Sequence, residues 1–145
     1  MFDFGCHRLE VLLNLFGPLR RTTSLVANVV FDREVEDTAV AALQFECGAC
    51  ATVTVTHAVM EPRDTLSVFG TIGSIHVAAL NVGYVTIRSG GGGATDRVEL
   101  HPPARNLHQP LVDDFVAAVL AGREPAVTGD IGRVVAAIEE GIYRR

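Results

Sequence analysis

The sequence predicts an α+β fold: an open, predominantly antiparallel β-sheet with helices packed on one face. Three observations predict it. A helical apolar period opens the chain, β-branched runs joined by short turns fill its middle, and two further helical periods close it. Strands joined by such turns pair antiparallel.

The first helix is expected from Gly5 to Phe16. Leu9, Leu12, Leu13 and Phe16 fall at i, i+3, i+4 and i+7, one helix face, and Gly17-Pro18 stops it. Strands are expected over Thr23–Asp32 and Asp37–Glu46. A third runs over Ala51–His57, where Ala-Thr-Val-Thr-Val-Thr-His puts valines on one face and threonines on the other. Cys47-Gly48 between the last two marks a tight hairpin. Further strands are expected at Asp64–Phe69, Ser74–Ala79, Gly83–Arg88 and Arg97–Leu100, with the glycine run Gly90–Gly93 as a hairpin tip between the last two. Pro110 suits the first turn of a helix carrying Leu111, Val112, Phe115, Val116, Val119 and Leu120, with Gly122 as its stop. Asp130 lies at a helix start, and Ile131, Val134, Val135, Ile138 and Ile142 follow on one face.

Helices on one side of such a sheet leave its other face uncovered. A face alternating Thr with small or apolar residues solvates weakly, and large uncovered surfaces of this kind find a partner. A homodimer or tetramer through that open face is expected.

A length of 145 residues fits one domain with a real core. With 48% hydrophobic and 20% charged residues the chain reads as an ordinary globular protein. A net charge of −5, and no basic cluster larger than Arg20–Arg21 or Arg144–Arg145, argue against a nucleic-acid surface. No apolar run approaches the ~18 residues of a membrane span, and acidic Asp3 stands where a signal peptide carries basic residues. Three cysteines fit a reducing compartment better than a disulfide scaffold, so the cytoplasm is the expected location.

The residues with chemistry to offer begin at Asp3 and His7, four apart, with Glu10 and Asn14 continuing the same stripe opposite the leucines. A carboxylate beside an imidazole orients it and favours its protonated form, the makings of a general acid/base. Spacing alone leaves a second reading open, a solvated helix face carrying an i,i+4 ion pair. His-x2-Glu lacks the second histidine of zinc hydrolase motifs, and three ligands from one helix rarely converge, so no metal site is assigned. Cys47-Gly48-Ala49-Cys50 is a C-x2-C on a hairpin turn rather than at a helix N-terminus, and reads as small residues flanking the turn. Cys6 points about 100° away from His7 on a helix, which argues against a Cys–His dyad. His57, His76 and His101 sit in or beside strands, the usual setting of structural histidines. His108 stands at a loop end before the Pro110 helix, where a side chain reaches either solvent or a cleft. The run Gly90–Gly93 is not G-x-G-x-x-G and opens no helix, so no dinucleotide fingerprint is present.

Six segments in order resemble one family: Asp3-Phe4-Gly5-Cys6-His7, Val35-Glu36-Asp37-Thr38-Ala39, Phe69-Gly70-Thr71-Ile72-Gly73-Ser74, Asn106-Leu107-His108, Asp113-Asp114-Phe115, and Gly122-Arg123-Glu124-Pro125 with Ile142-Tyr143 beyond. The family is the C-terminal domain of the Gfo/Idh/MocA oxidoreductases, and the similarity runs over essentially the whole chain. The resemblance implies a fold like the C-terminal domain of glyceraldehyde-3-phosphate dehydrogenase. It further implies a domain that binds a sugar, polyol or related substrate and builds an oligomer. By the same resemblance His7 is the general acid/base and Asp3 its catalytic carboxylate partner. Glu10, where the family commonly has Asp, and His108 contact substrate. Family members begin with a Rossmann domain and a Glu-Lys-Pro element, neither of which this sequence contains. Residues 1–145 are therefore expected to be a single C-terminal domain, incomplete at its N-terminus. NAD or NADP is implied by the resemblance but not bindable by this chain alone, which would be inactive by itself. A stand-alone sugar-binding or oligomerisation module of the same fold is the other reading.

Overall fold

The computed structural model describes residues 3–90 and 95–143. The elements follow in the order α1 (Gly5–Phe16), β1 (Leu19–Ala27), β2 (Thr38–Phe45), β3 (Cys50–Thr56), β4 (Leu66–Gly70), β5 (Gly73–Val77), β6 (Tyr84–Ser89), β7 (Thr95–Leu100), α2 (Gln109–Ala121) and α3 (Gly129–Tyr143). The class is α+β, with every strand pairing antiparallel. Hydrogen bonding divides the strands into two open sheets, β1-β2-β3 and β4-β5-β6-β7, where the sequence led to one. The division falls after β3 for a local reason. Thr56 Oγ1 accepts the Ala58 N–H at 3.0 Å, which bends the chain, and Pro62 has no N–H with which to extend a ladder. The chain correspondingly forms two compact units, Met1–Met60 with Val127–Arg145, and Glu61–Ala126.

In the first unit α3 packs on β1, and α1 packs on α3 and β3. The register sets Leu25 against Val40, Val40 against Thr54, and Ala41 against Val53. Ala39, Ala41, Leu43 and Phe45 of β2 are buried together with Val53, Leu9, Leu12, Val135 and Ile142, so the helices cover this face. Each fully buried Leu or Phe contributes roughly 1.5–3 kcal/mol. The Phe16 and Phe45 rings pack at a tilt, centroids 5.3 Å apart, and anchor the end of α1. The opposite face carries Thr23, Leu25, Val40, Ala42, Thr52 and Thr54, all exposed, which is the valine-in, threonine-out division read from β3.

β1 begins earlier than its β-branched run suggests and stops at Ala27. Its natural continuation is diverted. The Asp37 carboxylate, 5% exposed, accepts the N–H groups of Val29, Val30 and Phe31 at 2.8–3.0 Å, together with the Thr38 hydroxyl. Amides held this way have nothing left to donate to a sheet. The last turn of α3 is tied down on the same side: Ser24 Oγ donates to the Ile142 carbonyl at 2.7 Å, and the Tyr143 hydroxyl donates to Glu36.

In the second unit β4 to β7 form a meander with Leu66 opposite Val77 and Ile75 opposite Ile87. From Gly91 to Gly93 the glycine run lies outside the described residues. α2 starts with Pro110 in its first turn and ends at Gly122, whose left-handed φ of 63° lets Arg123 N–H cap the Ala118 carbonyl at 3.0 Å. Arg123 then meets Asp114 at 2.7 Å, and the Ala126 N–H reaches the same carboxylate at 2.6 Å. Asp113-Asp114-Phe115 and Gly122-Arg123-Glu124-Pro125, separate as motifs, thus form one structural clasp. Ala126 N–H and Arg123 together hold the Asp114 carboxyl below its ordinary range. Within this unit α2 buries only Ala118, and Phe115, Val119 and Leu120 are exposed.

Candidate functional site

α1 presents Cys6, His7 and Glu10 along one side, and Thr128 with Gly132, Ala136 and Glu139 of α3 lines the other. Between them runs a groove of about 260 Å³. It exists because α3 places its smallest residues where a fuller side chain would close it: Gly132 and Ala136 lie four apart, on one face. A Cβ at Gly132 would meet nothing within 4 Å. His7 is exposed at the groove, Glu10 is half-buried, and Glu139 is 3% exposed. Burial pushes the Glu139 carboxyl above its ordinary value, against the opposing charges of the amino terminus and, after it, His7. Glu139 Oε1 has no hydrogen-bond partner among the described residues.

Asp3 and His7 are not brought together as the i,i+4 spacing suggested. Asp3 stands in the turn before α1, outside the helix stripe, and its carboxylate lies 3.6 Å from His57 Nε2 at the end of β3. Phe4 packs its ring 5.2 Å from the same imidazole. Cys6 Sγ donates to the Asp3 carbonyl at 3.4 Å, so the thiol faces backbone rather than His7. His108 belongs to the second unit, exposed at the N-cap of α2, where its N–H donates to Asn106 Oδ1 at 3.1 Å. The remaining histidines make local contacts. His76 bridges the hydroxyls of Ser67 and Ser74 at 3.1 and 2.9 Å, and His101 pairs with Glu99 at 2.9 Å.

Glu139 and His57 are the two groups that sequence reasoning missed. Glu139 left a signal: it stands four residues after Val135 and three before Ile142, on the apolar stripe of α3, where a carboxylate is out of place. His57 left none, because its contact with Asp3 joins segments far apart in the chain.

A larger depression of about 480 Å³ lies on the open face of the first sheet over Ala42, bordered by Arg21, Gln44 and Cys50. It holds no imidazole or carboxylate, so the smaller groove is the better candidate for proton chemistry. Cys47 and Cys50 are exposed free thiols on the β2–β3 hairpin. Among the described residues no group of three His, Cys, Asp or Glu side chains could hold a metal ion, and no helix is long and apolar enough to cross a membrane. Nor does any described strand lead through a glycine-rich turn into a helix N-terminus, the geometry that cradles a dinucleotide pyrophosphate.

An antiparallel first sheet backed by α1 and α3, with a second antiparallel sheet in the other unit, makes this an α+β domain. The chain belongs to the GFO/IDH/MocA C-terminal domain family, whose model matches residues 1–76. No curated protein matches it. Among solved structures it is similar to the aldose-aldose oxidoreductase of Caulobacter crescentus complexed with glycerol (28% identity, TM-score 0.80, 98% of this chain and 43% of that one). It is also similar to the UDP-N-acetylglucosamine 3-dehydrogenase of Acidithiobacillus ferrooxidans (25%, 0.78, 93% and 43%). A third likeness is to the WlbA dehydrogenase of Bordetella pertussis in complex with NADH and UDP-GlcNAcA (26%, 0.71, 98% and 41%). The chain spans less than half the length of each of these proteins.

Proposed function

We propose that this chain is the substrate-binding half of an NAD(P)-dependent oxidoreductase acting on a hydroxyl or carbonyl of a sugar, polyol or related molecule. His7 serves as its general acid/base. The observation that carries the proposal is the position of His7 on a rigid helix, at a groove it shares with Glu10 and Glu139. In a family of oxidoreductases whose solved relatives carry the names of sugar and nucleotide-sugar enzymes, that groove is where a hydroxylated ligand meets an imidazole. Hydride chemistry belongs to a bound nicotinamide dinucleotide, for which NADH in the WlbA structure is the support; a separate Rossmann domain is its proposed holder.

The chain's own part is the proton. His7 accepts it from a substrate hydroxyl during oxidation and returns it to a carbonyl during reduction. Glu10 accepts a second hydroxyl. The Asp3–His57 pair is exposed at both ends, and such pairs stabilise little, so Asp3 is available to turn toward substrate as the catalytic carboxylate. His108 is assigned a substrate contact on the family resemblance. Residues 1–145 act as one domain, and the open face carrying Leu25 and Val40 is the proposed surface for a dimer or tetramer.

The test is His7→Asn in an enzyme that joins this domain to a dinucleotide-binding domain. Turnover is expected to fall about 10²–10⁴-fold with substrate binding retained. Unchanged turnover overturns the assignment.

A further inference from the structure

Gly132, Ala136 and Glu139 stand at i, i+4 and i+7 on α3, so the two small residues that open the groove lead along one helix face to a carboxyl. That residue is 3% exposed, and its Oε1 has no hydrogen-bond partner among the described residues. The amino terminus and, after it, His7 act on the group as charges, and neither gives Oε1 a hydrogen bond. A buried oxygen left unbonded is costly, and a buried anion left unbonded more so. Protonation removes the charge but still brings no donor to Oε1.

The rest of the groove narrows what would satisfy it. Glu10 lines it from α1, half-buried, and adds a second carboxyl. No arginine is among the described lining residues, and all twelve basic residues of the chain are arginine, so no lysine reaches it either. The Cys6 thiol is bonded to the Asp3 carbonyl, which leaves the exposed His7 imidazole and the Thr128 hydroxyl as the other polar groups. No group of three His, Cys, Asp or Glu side chains among the described residues could hold a metal ion, so the cation that fits is organic. A primary ammonium meets both demands at once. It sets a positive charge between two carboxyls, and it brings three N–H donors to an oxygen that has none. A carboxylate or phosphate ester would meet the same two carboxyls with no guanidinium to offset them.

We infer that the groove selects a substrate bearing a primary ammonium beside its hydroxyls, an aminated sugar or polyol, and that Glu139 receives the ammonium. The inference rests on the groove being the ligand site of the proposed function, and it adds the charge class of that ligand. It does not depend on His7 being the acid/base. The turnover of His7→Asn and the binding test below can therefore fail separately.

The experiment compares glycerol, serinol (glycerol with its central hydroxyl replaced by an ammonium) and glycerate as ligands of this chain at pH 7. Affinities are read by NMR from the backbone amides of Gly132 and Ala136. Serinol is expected to bind at least about tenfold more tightly than glycerol, with glycerate the weakest of the three. In Glu139→Gln the serinol advantage should shrink to about threefold or less. Equal affinities for serinol and glycerol, or an advantage that survives in Glu139→Gln, overturn the inference and leave a neutral-polyol groove standing. Groove amides that move with none of the three overturn the inference together with the groove as ligand site. Should Glu139→Gln not fold, nuclear Overhauser contacts of serinol in the native chain decide. Contacts to the Glu139 side chain and the Ala136 methyl support the inference, and contacts confined to other residues overturn it.

Discussion

Asp3 and His57 meet at 3.6 Å, carboxylate to Nε2, across the junction between the start of α1 and the end of β3. This contact changes how the opening motif is understood. In sequence Asp3 stands one helical turn from His7, but in the fold it precedes the helix and is held by the sheet. His7 instead lines the groove between α1 and α3, together with Glu10 and Glu139.

The Asp37 carboxylate organises the chain between β1 and β2, and its hydrogen bonds with the amides of Phe31, Val30 and Val29 hold its pKa well below the usual carboxylate range. A depressed folded-state value means that this stabilisation is present above the unfolded value of about 3.9. It is lost as pH falls below that toward the folded value. Urea midpoints measured from pH 7 to pH 3 should therefore drop more steeply below about pH 4 for the native chain than for Asp37→Asn. The variant should also be the less stable of the two at pH 7. Parallel curves would remove Asp37 from this role.

Phe45 is 1% exposed and packs its ring against that of Phe16, so it locks α1 to the first sheet. Phe45→Ala should destabilise the first unit by about 3–5 kcal/mol, the range for an aromatic deleted from a packed core. Urea unfolding read by Tyr143, which lies in that unit, checks the value; a loss below about 1 kcal/mol would mean the core is elsewhere.

Gly83 has φ +88°, and a Cβ there would overlap the carbonyl of His101, whose N–H donates to Gly83 at 2.8 Å. Gly83→Ala should cost about 1–3 kcal/mol from the backbone conformation alone. Hydrogen exchange at the His101 amide should accelerate with it, and an unaltered exchange rate would contradict the placement.

Gly132 offers a way to separate ligand binding from folding. Because the space above it is empty, Gly132→Leu should fold as well as the native chain or gain up to about 1 kcal/mol of helix stability. At the same time it should fill the groove. Glycerol added to the native chain should move the His7 ring signals, and in the variant it should not. Equal shifts in both would place the ligand somewhere else.

The open face of the first sheet predicts association. Val40 stands at its centre, with Leu25 and Thr54 as its cross-strand neighbours. Sedimentation at micromolar concentration should show a dimer or tetramer for the native chain and a monomer for Val40→Glu. A native monomer would end this proposal.

Much of this was legible in the residues themselves. The period of 3.6 marked α1 from Gly5 to Phe16, and the alternation of Val and Thr in β3 assigned the inner and outer faces before any packing was known. Periodicity reports which side of an element is dry, and that is a local property. It was also enough, with six ordered motifs, to place the chain in its family. The strand ends were less legible, because β1 stops where Asp37 takes its amides, a competition invisible in a β-branched run.

What the sequence determined by itself, then, is the α+β class, the apolar faces and His7 on an exposed helix position. Only the tertiary structure decided which carboxyl each histidine meets. Pairing between side chains on different elements depends on how a helix seats on a sheet, and that seating is set by many buried contacts at once rather than by any spacing along the chain. It gave Asp3 to His57, and it brought Glu139, which the helical period places among valines and isoleucines, into the groove beside His7.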